Sequence, residues 1–469
     1  MKTWFLPPSV PPPPTTFRTL GGLELESPAA TPELLRAAVA ALARGRPALL
    51  ALKTDLIVRA LDEALAEWIA PASGARRAAE EAFRAATGIP AATAPFGPPL
   101  EACAGGALRA WLRAEIAPLE ALDGFAPDAS GRLVRAVGPR LAVHVLPGNV
   151  PLVWLPGILA CLAMRTPCLL KPAADDPLTP ALFAETVARI SPALAGALAV
   201  VPWTGGDAVA AEAFDSADAI LVYGGDEAVR GVATLVPPGA RLEAHGPRAA
   251  AGVVAREAGG PGRIESVAAA AARDALLYDG RGCLSLSAVF LERGGLYEPR
   301  EAAAEFARAL ERASAALPPG RPDRDAAALT QSWRARARAR VQAGKPAALF
   351  ASPRGLDWTL IYDEELPCPD TPLVRTLWLA PVADLDEVPG RLARAGGTPA
   401  SVPRAGAPPC HALAYAGPEE RRGPILEALA PHGLTRVSAF GALQTPPLSW
   451  PHGGASPFKR LLAWTAVER

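Results

Sequence analysis

The stretch LAVHVLPGNVPLVWLPGILACLAMRTPCLLKP, residues 141–172, decides the fold. From Leu141 to Met164 it carries no charged side chain, and about 20 apolar residues are enough to cross a bilayer. Pro147, Pro151 and Pro156 fall inside it, with His144 and Asn149 before or between them. A single helix in lipid would therefore suffer three breaks and expose two polar groups. Burial in a globular domain fits better: a strand over Leu141 to Leu146, a helix over Pro151 to Met164, and a second strand over Cys168 to Leu170.

Downstream the same alternation continues. Helix Pro180 to Ile190 leads to strand Leu198 to Trp203, helix Asp207 to Phe214 to strand Ala219 to Tyr223, and helix Glu227 to Leu235 to strand Arg241 to Ala244. Short apolar strands separated by single helices predict βαβ units and a parallel sheet covered on both faces. Upstream, Leu133 to Val137 reads as a further strand. Residues 17 to about 125 read as helical: Thr31 caps, Pro32 fits a first turn, and Gly45 follows the run Leu34 to Ala43 as a stop. A second α/β stretch begins at Ala249, with strand Leu284 to Leu291 and helical runs Glu301 to Leu317 and Asp323 to Ala343. Residues 434–469 mix a short strand, a Pro-rich loop and a final helix that folds back on the earlier parts. The expected organisation is a helical N-terminal region (1–130), a dinucleotide-binding domain (131–247), a catalytic domain (248–433) and the returning C-terminal segment (434–469).

Totals narrow the function classes. The chain has 469 residues, 50% hydrophobic and 20% charged, with 47 basic side chains against 47 acidic ones. A large core is expected, and no long-range field favours nucleic acid or an acidic membrane. Six cysteines (Cys103, Cys161, Cys168, Cys283, Cys368, Cys410) form no C-x-x-C pair and no zinc-finger spacing. Neither a disulfide scaffold nor a metal centre is expected. The amino terminus sets Trp4-Phe5-Leu6 directly before Pro7 and the run Pro11 to Pro14, leaving no room for a signal-peptide core. A cytoplasmic protein with reduced thiols and no membrane span is the expectation.

Four places could carry chemistry. Cys283 sits where a helical pattern ends and a strand begins; Gly280 and Gly282 permit an exposed turn and Arg281 could favour thiolate. The other reading is a small buried cysteine. Asn149 hangs between a strand end and a helix start, either an oxyanion donor or a helix cap. Lys171, one of five lysines, ends an apolar strand and either meets a dinucleotide ribose or is a solvated charge. Gly224 and Gly225 stand between a strand and a helix start, where backbone N–H groups can meet a pyrophosphate. Asp226 as a simple cap is the alternative. No G-x-G-x-x-G and no P-loop opens any of these units.

The order Gly-Asn-x-Pro, Leu-Lys-Pro, Tyr-Gly-Gly, His245-Gly246-Pro247-Arg248 and Asp279-x-x-x-Cys283-x-Ser resembles the acyl-CoA reductases of the aldehyde dehydrogenase superfamily. More narrowly, it is similar to the fatty-acyl reductase subunit of bacterial luminescence systems, from about Gly138 through Trp450-Pro451-His452-Gly453-Gly454. The resemblance implies an aldehyde dehydrogenase-like α/β fold with Cys283 as the acylated nucleophile and Asn149 as the oxyanion donor. It also implies cofactor contacts from Pro147, Lys171, Pro172, Gly224 and Gly225. Two departures bear on the chemistry. Aligned on the superfamily's Glu-Leu-Gly-Gly-Lys segment, Ala244 takes the place of the water-activating Glu, which suits a thioester reductase; His245, slightly preferred, and Glu243 are the candidates for the proton. Ala173-Ala174 after Lys171 removes a carboxylate that NAD-selective members often carry, so NADPH is preferred to NADH.

Three functions remain open. The preferred one reduces an acyl-CoA, or an acyl group from a donor protein, to the aldehyde through an acyl-cysteine, with CoA as the substrate's leaving moiety and a homo-oligomer expected. The second runs oxidatively from aldehyde to acyl-CoA or acid. The third is a scaffold without activity.

Overall fold

The computed structural model describes residues 1–204, 207–260, 262–321, 323–366, 368, 373–395 and 410–468. Strand β1 (Thr15–Leu20) pairs antiparallel with β2 (Leu23–Pro28). Helices α1 (Pro32–Ala51), α2 (Thr54–Ile69), α3 (Gly74–Thr87), α4 (Gly97–Cys103) and α5 (Ala107–Glu115) follow. The hairpin corrects the expectation of a wholly helical lead-in; β1 is exposed along most of its length, so it carries no apolar alternation to mark it. Thr31 does cap α1, its Oγ accepting from the Leu34 N–H at 3.2 Å. Gly45, however, lies inside α1. A Cβ there would come within 2.3 Å of the Gly196 carbonyl oxygen, so this glycine permits a close backbone approach instead of ending the helix.

Next come β3 (Ala126–Pro127), β4 (Leu133–Val137) and β5 (Ala142–Val145), then α6 (Leu155–Ala163), β6 (Cys168–Lys171), α7 (Thr179–Ile190), the short α8 (Pro192–Ala195) and β7 (Leu198–Val200). The unit closes with α9 (Asp207–Phe214), β8 (Ala219–Tyr223), α10 (Asp226–Ala233) and β9 (Arg241–His245). Strands β5 to β9 form a sheet in the order β7-β6-β5-β8-β9, parallel throughout. Alternate side chains divide between its faces: Ala142 and Leu170 pack toward α6 and α7, whereas Val143, Leu169 and Ile220 pack toward α1 and α9. Helix α6 starts at Leu155, four residues later than expected, because Pro156 fits only a first turn, where a missing N–H costs nothing. Apart from Pro156 the whole helix is buried, which accounts for the uncharged stretch. Among the described residues no helix is long and apolar enough to cross a membrane.

The second half contains β10 (Ala249–Val254), α11 (Arg263–Leu276), β11 (Leu286–Glu292), α12 (Pro299–Ala316), α13 (Arg324–Gln342), β12 (Ala347–Ala351), β13 (Thr359–Asp363) and β14 (Thr376–Val382). It continues through α14 (Glu387–Ala395), β15 (Cys410–Ala416), α15 (Glu419–Leu429), β16 (Arg436–Ser438), α16 (Pro457–Leu461) and β17 (Ala463–Val467). Its sheet runs β12-β13-β14-β11-β10-β15-β16, parallel except for β12. The chain therefore ends on a strand, not the expected helix, and β17 pairs antiparallel with β4. Residues 133–137 accordingly stand outside the dinucleotide-type sheet, in a small sheet ordered β17-β4-β3.

Candidate active site

Every residue singled out in the first half sits at one edge of the five-stranded sheet. Asn149 follows β5, Lys171 ends β6, Gly224 and Gly225 follow β8, and His245 ends β9. Strand β5 has neighbours reached in opposite chain directions, β6 and β8, so the crevice beyond its carboxyl end is a topological switch point where ligands bind.

Cys283 reaches this crevice from the other sheet, on the turn between α11 and β11. Tyr278 (φ 55°), Asp279 (φ 59°) and Gly280 (φ 69°) are successive left-handed residues. Two of them carry side chains that disfavour this conformation, and the surroundings hold them there. The Tyr278 N–H donates to the Thr93 carbonyl at 2.7 Å, and the buried Arg375 guanidinium meets the Asp279 carboxylate at 3.2 Å. Arg281 also pairs with Asp279 and donates to the Arg321 carbonyl. It is thus held away from the thiol, contrary to the expected role, and the arginine whose charge favours the Cys283 thiolate is Arg248. Gly282 is required by contact: a Cβ there would stand 3.2 Å from Ser285 Oγ and 3.3 Å from a Val150 methyl.

The half-buried Cys283 lines a cleft whose walls are mostly apolar. Burial pushes its thiol up to about 11. Its sulfur lies 3.9 Å from His452 Nε2, the one side-chain hydrogen-bond neighbour of Sγ among the described residues. Burial holds His452 well below the usual histidine range, with the charges of His245, His411 and Arg248 acting the same way. The resting pair is therefore a neutral thiol beside a neutral imidazole able to take its proton. His411 places Nε2 2.9 Å from the Cys283 carbonyl and donates to it; burial lowers it to about 4.

His245 and Glu243, two apart on β9, both line the cleft, while the intervening Ala244 is not among its lining residues. His245 is sandwiched between Tyr223 and His452, 4.4 Å from each ring at 15°. Burial lowers it to about 3. The imidazole at the sulfur is thus His452 and not the preferred His245, which stands one ring further back. Glu243 is likewise not a free acid, since its carboxylate pairs with Arg460 of α16. Arg460 also donates to the Gly453 carbonyl at 2.8 Å, tying the His452 loop to β9.

Asn149 Nδ2 donates to the Arg281 carbonyl at 2.7 Å, two residues before the nucleophile. One of its amide hydrogens is thereby engaged and the other remains available. The neighbouring Val150 lines the cleft, and Asn149 itself is exposed at its rim.

The cofactor positions differ among themselves. Lys171 is half-buried with its ammonium 5.8 Å from the Trp203 ring centre, has no carboxylate partner among the described residues, and is lowered by burial. Gly225 is the N-cap of α10 with open space where a Cβ would stand. The Gly224 N–H instead donates to the His245 carbonyl at 3.2 Å. Pro172 is buried and Pro147 partly exposed. Opposite them, Ala173 packs so close to Gly148 that a Cβ on that glycine would meet it at 2.9 Å. A free ammonium, an open helix N-terminus and a close-packed small residue fit the ribose and phosphates of a nicotinamide dinucleotide.

Several lining residues escaped the sequence. Pro98, Cys103 and Trp111 bring the N-terminal helices into the cleft wall, and Tyr223, Gln444 and Trp450 complete it. Cys103 does pack as the buried thiol expected of it, raised to about 12 by burial, but against the cleft. Tyr223 and Trp450 stand in quoted motifs without having been singled out, and no local motif marks Pro98, Cys103, Trp111 or Gln444; only the fold gathers them.

Comparison with known proteins bears on the family and the fold. A family model described as "Acyl-CoA reductase (LuxC)" matches residues 49–464. The long-chain acyl-protein thioester reductase 2 of Photobacterium leiognathi is 24% identical over 343 residues, 72% of this chain and 66% of that protein. The long-chain acyl-protein thioester reductase of Photorhabdus luminescens is 27% identical over 200 residues, 42% of this chain and 40% of that protein. The matched stretches thus span two thirds or less of these relatives' own length. Among solved structures, an aldehyde dehydrogenase from Brucella melitensis superposes with a TM-score of 0.72 at 16% identity, covering 99% of this chain and 96% of that one. Aldehyde dehydrogenase C of Pseudomonas syringae, solved with NAD+ and octanal, does so at 0.69 with 14% identity, covering 99% and 96%. The fold is that of the aldehyde dehydrogenases.

Proposed function

The chain belongs to the acyl-CoA reductase (LuxC) family, and from that premise we propose that it reduces a fatty acyl thioester to the aldehyde through an acyl group carried on Cys283. The observation that carries this reading is the 3.9 Å approach of Cys283 Sγ to His452 Nε2 inside an apolar cleft. His452 takes the thiol proton as sulfur attacks the thioester carbonyl, and the second amide hydrogen of Asn149 with the Cys283 N–H receives the developing oxyanion. The donor thiolate leaves with the proton returned by His452, and an acyl-cysteine remains.

A bound NADPH would supply hydride to that thioester. Lys171 and the Gly225 N–H would hold it, and Ala173 would leave room for a 2′-phosphate. The resulting thiohemiacetal oxyanion collapses by expelling the Cys283 thiolate as free aldehyde is released, and a proton from solvent, passed through His452, restores the thiol. Among the described residues lining the cleft no carboxylate stands free to activate water, because Glu243 is paired with Arg460, which favours reduction over hydrolysis. The donor is either acyl-CoA or an acylated protein, the relatives being named for the latter. The enzyme would work as a homo-oligomer.

Incubation with acyl-CoAs of graded length, followed by intact-mass analysis, should give one adduct that maps to Cys283 and disappears on addition of NADPH. Cys283→Ala should show neither adduct nor aldehyde. A variant still reducing acyl-CoA at the wild-type rate would overturn the mechanism.

A further inference from the structure

Behind the β8 wall of the cleft lies a cluster that the reaction does not use. His144 on β5, Cys161 on α6 and Cys168 at the start of β6 place a ring nitrogen and two sulfurs within 4.8 Å of one another, and all three residues are fully buried. Spacings of 17 and 7 residues match no metal motif, and only the βαβ crossover brings the three together. Neither ring nitrogen of His144 has a hydrogen-bond partner among the described residues. Buried polar groups are nearly always paired, so an imidazole left with two idle nitrogens beside two thiols needs an explanation.

The surroundings fit a soft cation. Helix α6 carries Gly157 opposite the cluster: a Cβ there would lie 3.6 Å from His144 Cε1 and 3.3 Å from the Tyr223 hydroxyl. Gly157 thus lets the helix backbone approach both groups closely, and since Gly157 and Tyr223 also line the cleft, the cluster lies directly behind the cleft wall.

We propose that His144, Cys161 and Cys168 bind one zinc ion, with the fourth position on the side of the Tyr223 hydroxyl. Two thiols release their protons to solvent as they become thiolates, and the neutral imidazole supplies the third bond. Two thiolates cancel the charge of Zn²⁺, whereas Cu⁺ would leave a net negative charge in an apolar core. Ligand atoms around tetrahedral zinc stand roughly 3.5–3.8 Å apart, given bond lengths of about 2.0–2.3 Å, so the cluster need close by no more than about 1 Å.

The full chain, stripped with a chelator and titrated with Co²⁺, should take up one equivalent with the near-ultraviolet band of thiolate-to-cobalt charge transfer, displaced by Zn²⁺. Cys161→Ser and Cys168→Ser should each lose the band, and Cys283→Ser should keep it. X-ray absorption on the zinc-loaded wild type, which depends on no variant folding, should resolve two sulfur ligands and one nitrogen ligand. Absence of the band, a band lost in Cys283→Ser but kept in Cys161→Ser, an all-oxygen shell, or retention of Cu⁺ but not Zn²⁺ would overturn the assignment.

Discussion

At the scale of single residues, the pairing of Cys283 with His452 makes a pH prediction whose sign follows from the two shifts. The thiol is pushed up to about 11 and the imidazole held well below its ordinary range. Between those limits the proton moves within the pair and none is exchanged with solvent. Acylation of the wild type by acyl-CoA should therefore be flat from about pH 7 to 9. In His452→Gln only the free thiolate fraction remains, so the rate should fall by about 10²- to 10⁴-fold at pH 7 and climb roughly tenfold per pH unit up to the thiol's own pKa. Time-resolved mass spectrometry across pH reads both; a flat profile in the variant would remove His452 from the reaction. Cys283 was legible as a candidate because two glycines, Gly280 and Gly282, lead into a cysteine at a strand start, which is a local signal. His452 was only half-legible, 169 residues away on a loop. His245 was preferred for the proton from its motif, because sequence cannot tell which of two stacked rings is nearer a sulfur.

Among elements, the parallel sheet was read almost strand for strand, since β5, β6 and β8 are buried on both faces and read as continuous apolar runs. The hairpin β1–β2 and the terminal β17 were missed for the opposite reason. Every residue of β17 is exposed, so no alternation of apolar and polar side chains marks it. That exposure has a consequence: Trp464 is 46% and Val467 45% exposed, on a strand paired along one side only, with β4, among the described residues. An edge of this kind is a template for another chain unless blunted, and a second copy of this protein would cover it. The wild type should sediment as a dimer or larger at micromolar concentration, and Trp464→Arg should shift it toward monomer. A wild type that sediments as a monomer would disprove the pairing.

Across the whole molecule, the site belongs to no single segment. The first sheet contributes Asn149 and His245, the second the Cys283 turn and His411, the N-terminal helices Cys103 and Trp111, and the C-terminal return His452. What keeps the last of these in place is one ion pair across the chain, Arg460 with Glu243, extended by Arg460 to the Gly453 carbonyl next to His452. Arg460→Ala should leave the Glu243 carboxylate, which is 8% exposed, without its cation. Breaking a fully buried pair costs about 3–5 kcal/mol; with Arg460 itself 34% exposed, screening reduces the expected loss to about 1–2 kcal/mol. Two readings separate this anchoring role from a simple loss of stability. Glu243→Gln with Arg460→Ala should recover most of the thermal midpoint, because no uncompensated charge remains. It should not recover the acylation rate, because the Gly453 contact that seats His452 is still missing. If the double variant regains both, Arg460 stabilises the fold but does not position the imidazole.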